Sequence, residues 1–193
     1  MRTLGVVLAG GQSSRMRQDK ALLTLNGSTM LERSVNALRP LLPEVWISRQ
    51  TDQAVPMADA RIVPDTMRDC GPLGGVAAVM EQAVRAGFDA VLLLPVDLPA
   101  CSAADLSPLM AAGEREQKPV CFSGHFLPLY LPVNSAVLEF TQRQLTDSKA
   151  RKSVASVFYQ FDGIQLPPPD SNALTNTNTR EEWLTATREE QHG

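Results

Sequence analysis

The spacing of hydrophobic residues predicts short buried strands separated by amphipathic helices along most of this chain. Apolar runs predict strands at residues 4–8, 45–47, 61–63 and 89–94. The last of these runs is the most apolar, as expected of a strand that is covered on both faces of a sheet. In the second half, residues 119–122 and 127–131 are further candidate strands.

Helix start signals precede several runs that have a helical period. Ser28 or Thr29 is placed to cap a helix that ends near residue 38, and Ser102 is placed to cap another that ends near residue 112. A glycine-rich segment at 71–75 opens a helix between them. The predicted buried stripe of that helix consists of Leu73, Val76, Met80 and Val84. Residues 134–145 predict a further helix, and Thr179 is expected to cap a last one that includes Trp183.

The alternation of strands and helices predicts the fold class. It is typical of an α/β protein in which helices cover both faces of a mostly parallel sheet, which gives a three-layer α/β/α sandwich. In such sheets, ligands bind outside the carboxyl ends of the strands. Polar residues that directly follow a predicted strand are therefore the first candidates for a functional site.

Composition narrows the classes of function. The chain has 193 residues, which suits one domain over residues 1–193. Its 18 basic and 21 acidic residues form no basic stripe with interleaved aromatic side chains, which argues against a nucleic-acid partner. The three cysteines have no metal-type spacing and are expected to be reduced thiols. No apolar run is long enough to span a bilayer and we identify no signal peptide, so we expect a cytoplasmic protein without membrane contact.

Two adjacent glycines, Gly10 and Gly11, directly follow the first predicted strand. Residues without a Cβ let the backbone turn sharply and let consecutive N–H groups approach an anion. Arg15 and Lys20 add two positive charges to the same loop, and both side chains suit phosphate oxygens. The loop predicts a bound diphosphate or triphosphate, and the alternative is an ordinary glycine turn with two solvated cations. Neither the P-loop spacing nor the dinucleotide fingerprint is present.

Two carboxylates also follow predicted strands, Asp97 after the run at 89–94 and Asp65 after the run at 61–63. We expect both to face the same crevice as the glycine loop, because that crevice lies at the carboxyl ends of the strands. A single carboxylate such as Asp97 can hold Mg²⁺, since this ion keeps several waters and takes phosphate oxygens from a substrate. The alternative for each residue is a carboxylate that stabilises a turn or caps the following helix.

A basic cluster at residues 149–152 precedes another predicted short helix. Its members Arg151 and Lys152 are candidates to bind a phosphate of a second substrate, and a solvated basic face is the common alternative. Asn176 and Asn178 lie in a polar segment further along the chain, where Asn side chains also stabilise turns by bonding to their own backbone.

The glycine loop and two later segments resemble a known family. From Leu8 to Lys20 the chain reads L-A-G-G-Q-S-S-R-M-R-Q-D-K, which is similar to the signature of nucleotidyltransferases that act on molybdopterin, above all the molybdenum cofactor guanylyltransferases. Gly-Pro-Leu-Gly-Gly at 71–75 and Asn-Thr-Asn-Thr at 176–179 resemble later family segments in the family's order. Many members have glycine where this chain has Arg17, so the path of the loop is an open point.

The resemblance implies a Rossmann-like nucleotidyltransferase fold and transfer of GMP from GTP to the terminal phosphate of molybdopterin or Mo-molybdopterin. It implies Mg²⁺ at Asp97, catalysis by Arg15, Lys20 and Asp97, and loop N–H groups of residues 9–11 on the nucleotide. The implied nucleotide-binding residues are Leu8, Ala9, Gly10, Gly11, Lys20, Asp65, Gly74 and Asp97. The acceptor-binding candidates are Arg151, Lys152, Asn176 and Asn178.

The same resemblance implies nucleotide binding within about residues 1–100 and acceptor binding within about residues 101–185. It further implies transient contacts with molybdopterin-loading proteins and with apo-molybdoenzymes.

Alternative substrates and an alternative class of function stay open at this point. Related cytidylyltransferases usually have alanine at the position of Gly10, so one missing methyl group is what favours GTP over CTP. Another phosphorylated acceptor, or a non-catalytic carrier of nucleotide or cofactor, are the remaining alternatives.

Overall fold

A computed structural model describes residues 1–10, 19–50, 53, 60–65, 70–169 and 171–177 of the chain. The strands are β1 (Thr3–Leu8), β2 (Thr24–Leu25), β3 (Ser28–Thr29), β4 (Val45–Arg49), β5 (Arg61–Pro64), β6 (Ala90–Pro95), β7 (Val120–Phe122), β8 (Leu129–Pro132) and β9 (Ile164–Leu166). The helices are α1 (Met30–Leu38), α2 (Pro72–Arg85), α3 (Ala103–Glu116), α4 (Ser135–Thr146) and α5 (Val154–Gln160). Short 3₁₀ turns lie at Lys20–Leu22 and Ser171–Leu174.

The described strands form a seven-stranded sheet in the order β5-β4-β1-β6-β8-β7-β9, and β2 and β3 form a separate hairpin. The first four strands of this order are parallel to one another. Strand β8 runs antiparallel to both of its neighbours, β6 and β7, and β9 pairs in parallel with β7. The prediction of a mostly parallel sheet is confirmed, and β8 is the strand that reverses direction.

Helices cover both faces of this sheet and bury two separate hydrophobic cores. One core contains Val6, Trp46 and Leu93 from the strands together with residues of α2, α4 and α5. The other contains Val7, Ile47 and Leu92, the neighbours of those residues along the same strands, together with residues of α1 and α3. Because successive side chains of a strand point to opposite faces, this alternation establishes the predicted three layers.

Two predicted helix starts are confirmed in detail. The Thr29 hydroxyl accepts the Glu32 N–H at 3.1 Å, and the Glu32 carboxylate accepts the Thr29 N–H at 2.7 Å, which is a capping box at α1. Accepting that backbone N–H lowers the pKa of Glu32. Ser102 and Asp105 form the same arrangement at α3.

Several predicted boundaries and faces are wrong. Val84 is 43 % exposed, and the inner face of α2 instead includes Val79 and Ala83, which pack on the sheet. Helix α3 continues through Pro108 to Glu116, well past residue 112. Strand β9 was not predicted, because a three-residue edge strand has too little hydrophobic periodicity to be recognised. The predicted helix at Thr179 and Trp183 lies outside the described residues.

Within the described ranges, no helix combines the length and the apolar character that crossing a bilayer requires. Cys70, Cys101 and Cys121 are all buried and carry free thiols, as expected.

We expect the substitution Gly113→Ala to destabilise the protein, although alanine is the better helix former. A Cβ on Gly113 would overlap the ring of Tyr130, which is completely buried between α3 and the sheet. Overpacking of this kind costs about 1–3 kcal/mol of unfolding free energy. Chemical denaturation measures it, with Gly113→Ser as a larger version of the same change. An increase in stability would contradict the close contact between α3 and β8.

Candidate active site

A cleft of about 600 Å³ lies at the carboxyl ends of β1 and β6, where the fold places ligands. Both halves of the chain line it. Residues from the first half are Leu8, Ala9, Gly10, Asp19, Lys20, Ala21, Pro72, Pro95, Val96 and Asp97. Residues from the second half are Gly124, His125, Phe126, Leu127, Lys152, Ser153, Val154, Ala155 and Asn176.

The glycine loop leaves β1 at the edge of this cleft, as the sequence predicted. Leu8, Ala9 and Gly10 line the cleft, and Gly11 and Arg15 lie outside the described residues. The Ala9 N–H donates to the Ser48 carbonyl at 2.9 Å, so this donor is already engaged in the sheet. The ladder between β1 and β4 continues through this residue, and contact of the Ala9 N–H with a nucleotide stays a prediction.

Lys20 and Asp97 face each other in the cleft with 3.7 Å between Nζ and Oδ2. The side chains are 19 % and 23 % exposed, so both charges remain accessible from the cleft. Lys20 begins the 3₁₀ turn at Lys20–Leu22, and the Asp19 side chain caps that turn by accepting the Ala21 N–H at 3.1 Å. An ammonium group beside a carboxylate can bind the phosphates of a nucleotide and a divalent cation side by side.

Asp97 fits a magnesium ion better than a metal with several protein ligands. Among the residues that the structure describes, no three His, Cys, Asp or Glu side chains are grouped to hold a metal ion. A lone, partly exposed carboxylate matches the coordination of Mg²⁺, which keeps waters and binds phosphate oxygens of the substrate. The donor set thus fits the predicted ion, and Asp97 is the residue that would hold it.

The last segment of the described chain, which contains Thr177, is hydrogen-bonded to the backbone of Asp97. The Thr177 N–H and hydroxyl donate to the main-chain carbonyl of Asp97 at 3.0 Å and 3.4 Å. Thr177 is buried, and the adjacent Asn176 lines the cleft. The second predicted asparagine, Asn178, lies outside the described residues. Thr177 was not predicted, because only its tertiary contact with Asp97 gives it a role.

Asp65 lies at the same edge of the sheet, just beyond β5. Its N–H donates to the Arg49 carbonyl at 2.8 Å, and its Oδ2 lies 3.6 Å from the place of a Cβ on Gly10. The two predicted nucleotide contacts therefore lie side by side. Gly74 is buried in the first turns of α2 and is not among the cleft-lining residues. The next residue, Gly75, is the one that needs to be small, since a Cβ there would lie 2.5 Å from Ser48 Oγ.

The two basic residues that were candidates for acceptor binding have different positions. Lys152 lines the cleft, and its Nζ lies 3.7 Å from Cys70 Sγ. Arg151 is exposed and is not among the cleft-lining residues. His125 and Phe126 line the same cleft as Lys152.

Sequence reasoning missed the contribution of Arg49 and the role of its partner Asp19. Arg49 is completely buried at the end of β4 and forms an ion pair with Asp19. A charged residue two positions after the apolar run at 45–47 was the available signal, and charged residues two or three positions after an apolar run also identified Asp65 and Asp97.

Two of the buried cysteines do not supply a nucleophile at neutral pH. Burial raises the pKa of Cys101 to about 12 and that of Cys121 to about 11, so both groups remain thiols. Neither of these two cysteines is among the cleft-lining residues.

Comparison with known proteins identifies a family that this chain is similar to. The profile of the family described as "MobA-like NTP transferase domain" matches residues 5–160. A protein of Xanthomonas euvesicatoria pv. vesicatoria named "Molybdenum cofactor guanylyltransferase" is 33% identical over 182 residues, which cover 93% of this chain and 91% of that protein.

Solved structures share the fold at low sequence identity. Molybdopterin-guanine dinucleotide biosynthesis protein A from Archaeoglobus fulgidus is 15% identical, with a TM-score of 0.78 over 98% of this chain and 100% of that one. The 2-C-methyl-D-erythritol 4-phosphate cytidylyltransferase from Thermus thermophilus is 15% identical, with a TM-score of 0.74 over 99% and 100% of the two chains. The match to the family profile and the identity to the Xanthomonas relative establish that this chain belongs to the MobA-like NTP transferase family.

Proposed function

We propose that this protein transfers GMP from GTP to the terminal phosphate of molybdopterin or Mo-molybdopterin. The observation that carries the proposal is the Lys20–Asp97 pair in a cleft at the carboxyl ends of β1 and β6. Support for the substrates comes from a relative named molybdenum cofactor guanylyltransferase that aligns with 93% of the chain. The product is a guanine dinucleotide form of the cofactor, and pyrophosphate leaves.

In the proposed reaction, an oxygen of the acceptor phosphate forms a bond to the α-phosphorus of GTP while the bond to pyrophosphate breaks. Lys20, together with Arg15, neutralises charge on the nucleotide phosphates and on the departing pyrophosphate. Asp97 would hold Mg²⁺, and the bound ion would supply Lewis-acid stabilisation of phosphate oxygens. An ionised phosphate is already a nucleophile, so the reaction needs no general base from the protein.

The two sides of the cleft suggest how the substrates are arranged. We assign the nucleotide to about residues 1–100, which supply Gly10, Lys20, Asp65 and Asp97. We assign the acceptor to about residues 101–185, where Lys152 and Asn176 line the cleft. Holding two anionic substrates in line lowers the entropic part of the barrier, which is the main contribution of a protein that supplies no nucleophile of its own.

Guanine specificity depends on the space beside Gly10. A methyl group at this position would fill the gap between Gly10 and the Asp65 carboxylate, in ordinary van der Waals contact with Oδ2 at 3.6 Å. Glycine leaves that gap open, which favours the larger purine base. From the resemblance to the molybdenum cofactor guanylyltransferases, we further propose a cytoplasmic enzyme that makes transient contacts with molybdopterin-loading proteins and apo-molybdoenzymes.

Pyrophosphate release by the purified protein with Mg²⁺ tests the proposed function. Each of the four nucleoside triphosphates is supplied with and without molybdopterin. We expect release with GTP, only when molybdopterin is present. Equal use of CTP would contradict the guanine assignment. Activity with a different phosphorylated acceptor would contradict the assignment of molybdopterin as the acceptor. Stoichiometric binding of both substrates without pyrophosphate release would indicate a non-catalytic carrier.

We expect Asp97→Asn to lower kcat by about 10²–10³-fold, the loss typical of one electrostatic group at a reacting phosphate. The fold should persist, because Thr177 binds the main-chain carbonyl of Asp97 and the side chain is partly exposed. Steady-state turnover and a thermal melt measure the two effects. Asp89→Asn, the same change at the opposite end of β6, is the matched control and should retain activity. Wild-type turnover in Asp97→Asn would refute the metal assignment.

Comparing substitutions of Lys152 and of its neighbour Arg151 tests whether the basic cluster contacts the acceptor or is only a solvated basic face. Lys152 lines the cleft and Arg151 does not, so Lys152→Ala should raise the KM for the acceptor about tenfold, whereas Arg151→Ala should leave it unchanged. The KM for GTP should stay near the wild-type value in both variants. An equal effect of the two substitutions on the acceptor KM would show that the cluster acts only through its overall charge.

A further inference from the structure

The guanidinium group of Arg49 is completely buried at the carboxyl end of β4, beside the cleft. Burying a charged group costs free energy unless the group is paired and hydrogen-bonded. Replacing a buried ion pair by apolar side chains of similar volume is often neutral or stabilising. Stability alone therefore does not account for a charge at this position, and its contacts indicate what the charge does.

The guanidinium joins the two sides of the glycine loop. Its Nη2 pairs with the Asp19 carboxylate, and its Nη1 donates to the Ala9 carbonyl at 3.4 Å. Ala9 stands where the loop leaves β1, and Asp19 stands where the described chain resumes after it. Nε has no hydrogen-bond partner among the described residues, so the group is arranged around these two contacts.

The Asp19 carboxylate also connects Arg49 to Lys20, whose ammonium group lies in the cleft. Asp19 uses one carboxylate oxygen to pair with Arg49 and the other to cap the turn that begins at Lys20. Lys20 then points its ammonium group toward Asp97. The main-chain carbonyl of Arg49 also accepts the Asp65 N–H at 2.8 Å. One residue therefore contacts three segments at this edge of the sheet.

We propose that Arg49 is a positioning residue for the phosphates of the nucleotide. It clamps Ala9 to Asp19 and so fixes the place of Lys20, without touching the substrate itself. The inference rests on the proposed function only in that it requires a nucleoside triphosphate or its pyrophosphate part in the cleft. The planar fork of arginine is needed, because lysine has one point charge and cannot reach two acceptors in fixed geometry.

The test compares Arg49→Met with the double variant Arg49→Met/Asp19→Asn. The single change leaves the Asp19 carboxylate without its partner and should lower the melting temperature. The double change removes both charges and retains the side-chain oxygen that caps the 3₁₀ turn, so stability should recover. We expect both variants to bind inorganic pyrophosphate about tenfold more weakly than the wild type, by isothermal titration calorimetry with Mg²⁺.

Two further variants separate positioning from stability. Leu109→Ala makes a cavity on the far side of the sheet from α2 and lowers stability without touching the loop, so its pyrophosphate affinity should match the wild type. Arg49→Lys retains the charge and should fold, yet bind pyrophosphate more weakly than the wild type. These affinities are measured below the melting temperature of every variant.

Wild-type pyrophosphate affinity in the double variant or in Arg49→Lys would overturn the inference. So would an equal loss of affinity in Leu109→Ala, since that loss would follow stability alone. A wild-type protein that binds neither pyrophosphate nor GTP would instead refute the proposed function, and the positioning role with it. Binding of GTP without turnover would refute only the transferase reaction and would leave the role of Arg49 to be decided by the same affinities.

Discussion

Parallel pairing of β1 with β6 is the constraint on which the rest of the site depends. The two strands pair from Thr3 with Ala90 to Leu8 with Pro95, so they end together at one edge of the sheet. The glycine loop leaves one strand and Asp97 follows the other, separated by more than eighty residues in sequence. Because both strands are buried on both faces, neither can slide relative to the other without exposing a core.

Two ion pairs position the charged residues of the loop beside the cleft. The consecutive residues Asp19 and Lys20 face different partners, one toward buried Arg49 and the other toward Asp97. The short turn at Lys20–Leu22 directs the two side chains apart. In the proposed function, the buried Arg49–Asp19 pair positions the loop, and the more exposed Lys20–Asp97 pair contacts the phosphates and the metal ion.

The fold by itself does not choose the base or the acceptor. A cytidylyltransferase with a different phosphorylated acceptor shares this fold at a TM-score of 0.74, although only 15% of the residues are identical. Specificity must therefore depend on local differences within a common frame. In the proposed function, these differences are the missing methyl group at Gly10 and the side chains that line the second half of the cleft, among them His125, Phe126 and Lys152.

The sequence by itself determined the layered α/β class, the glycine loop, the strand-end position of Asp97 and the helix caps at Thr29 and Ser102. Each of these is encoded locally, by a run of apolar residues or by a residue type next to one. Only the tertiary structure decided that Lys152 lines the cleft while Arg151 does not, that Thr177 anchors the backbone of Asp97, and that Arg49 is buried against Asp19. These roles depend on which distant segments meet, and a contact between two segments that are far apart in the sequence leaves no periodic pattern in either of them.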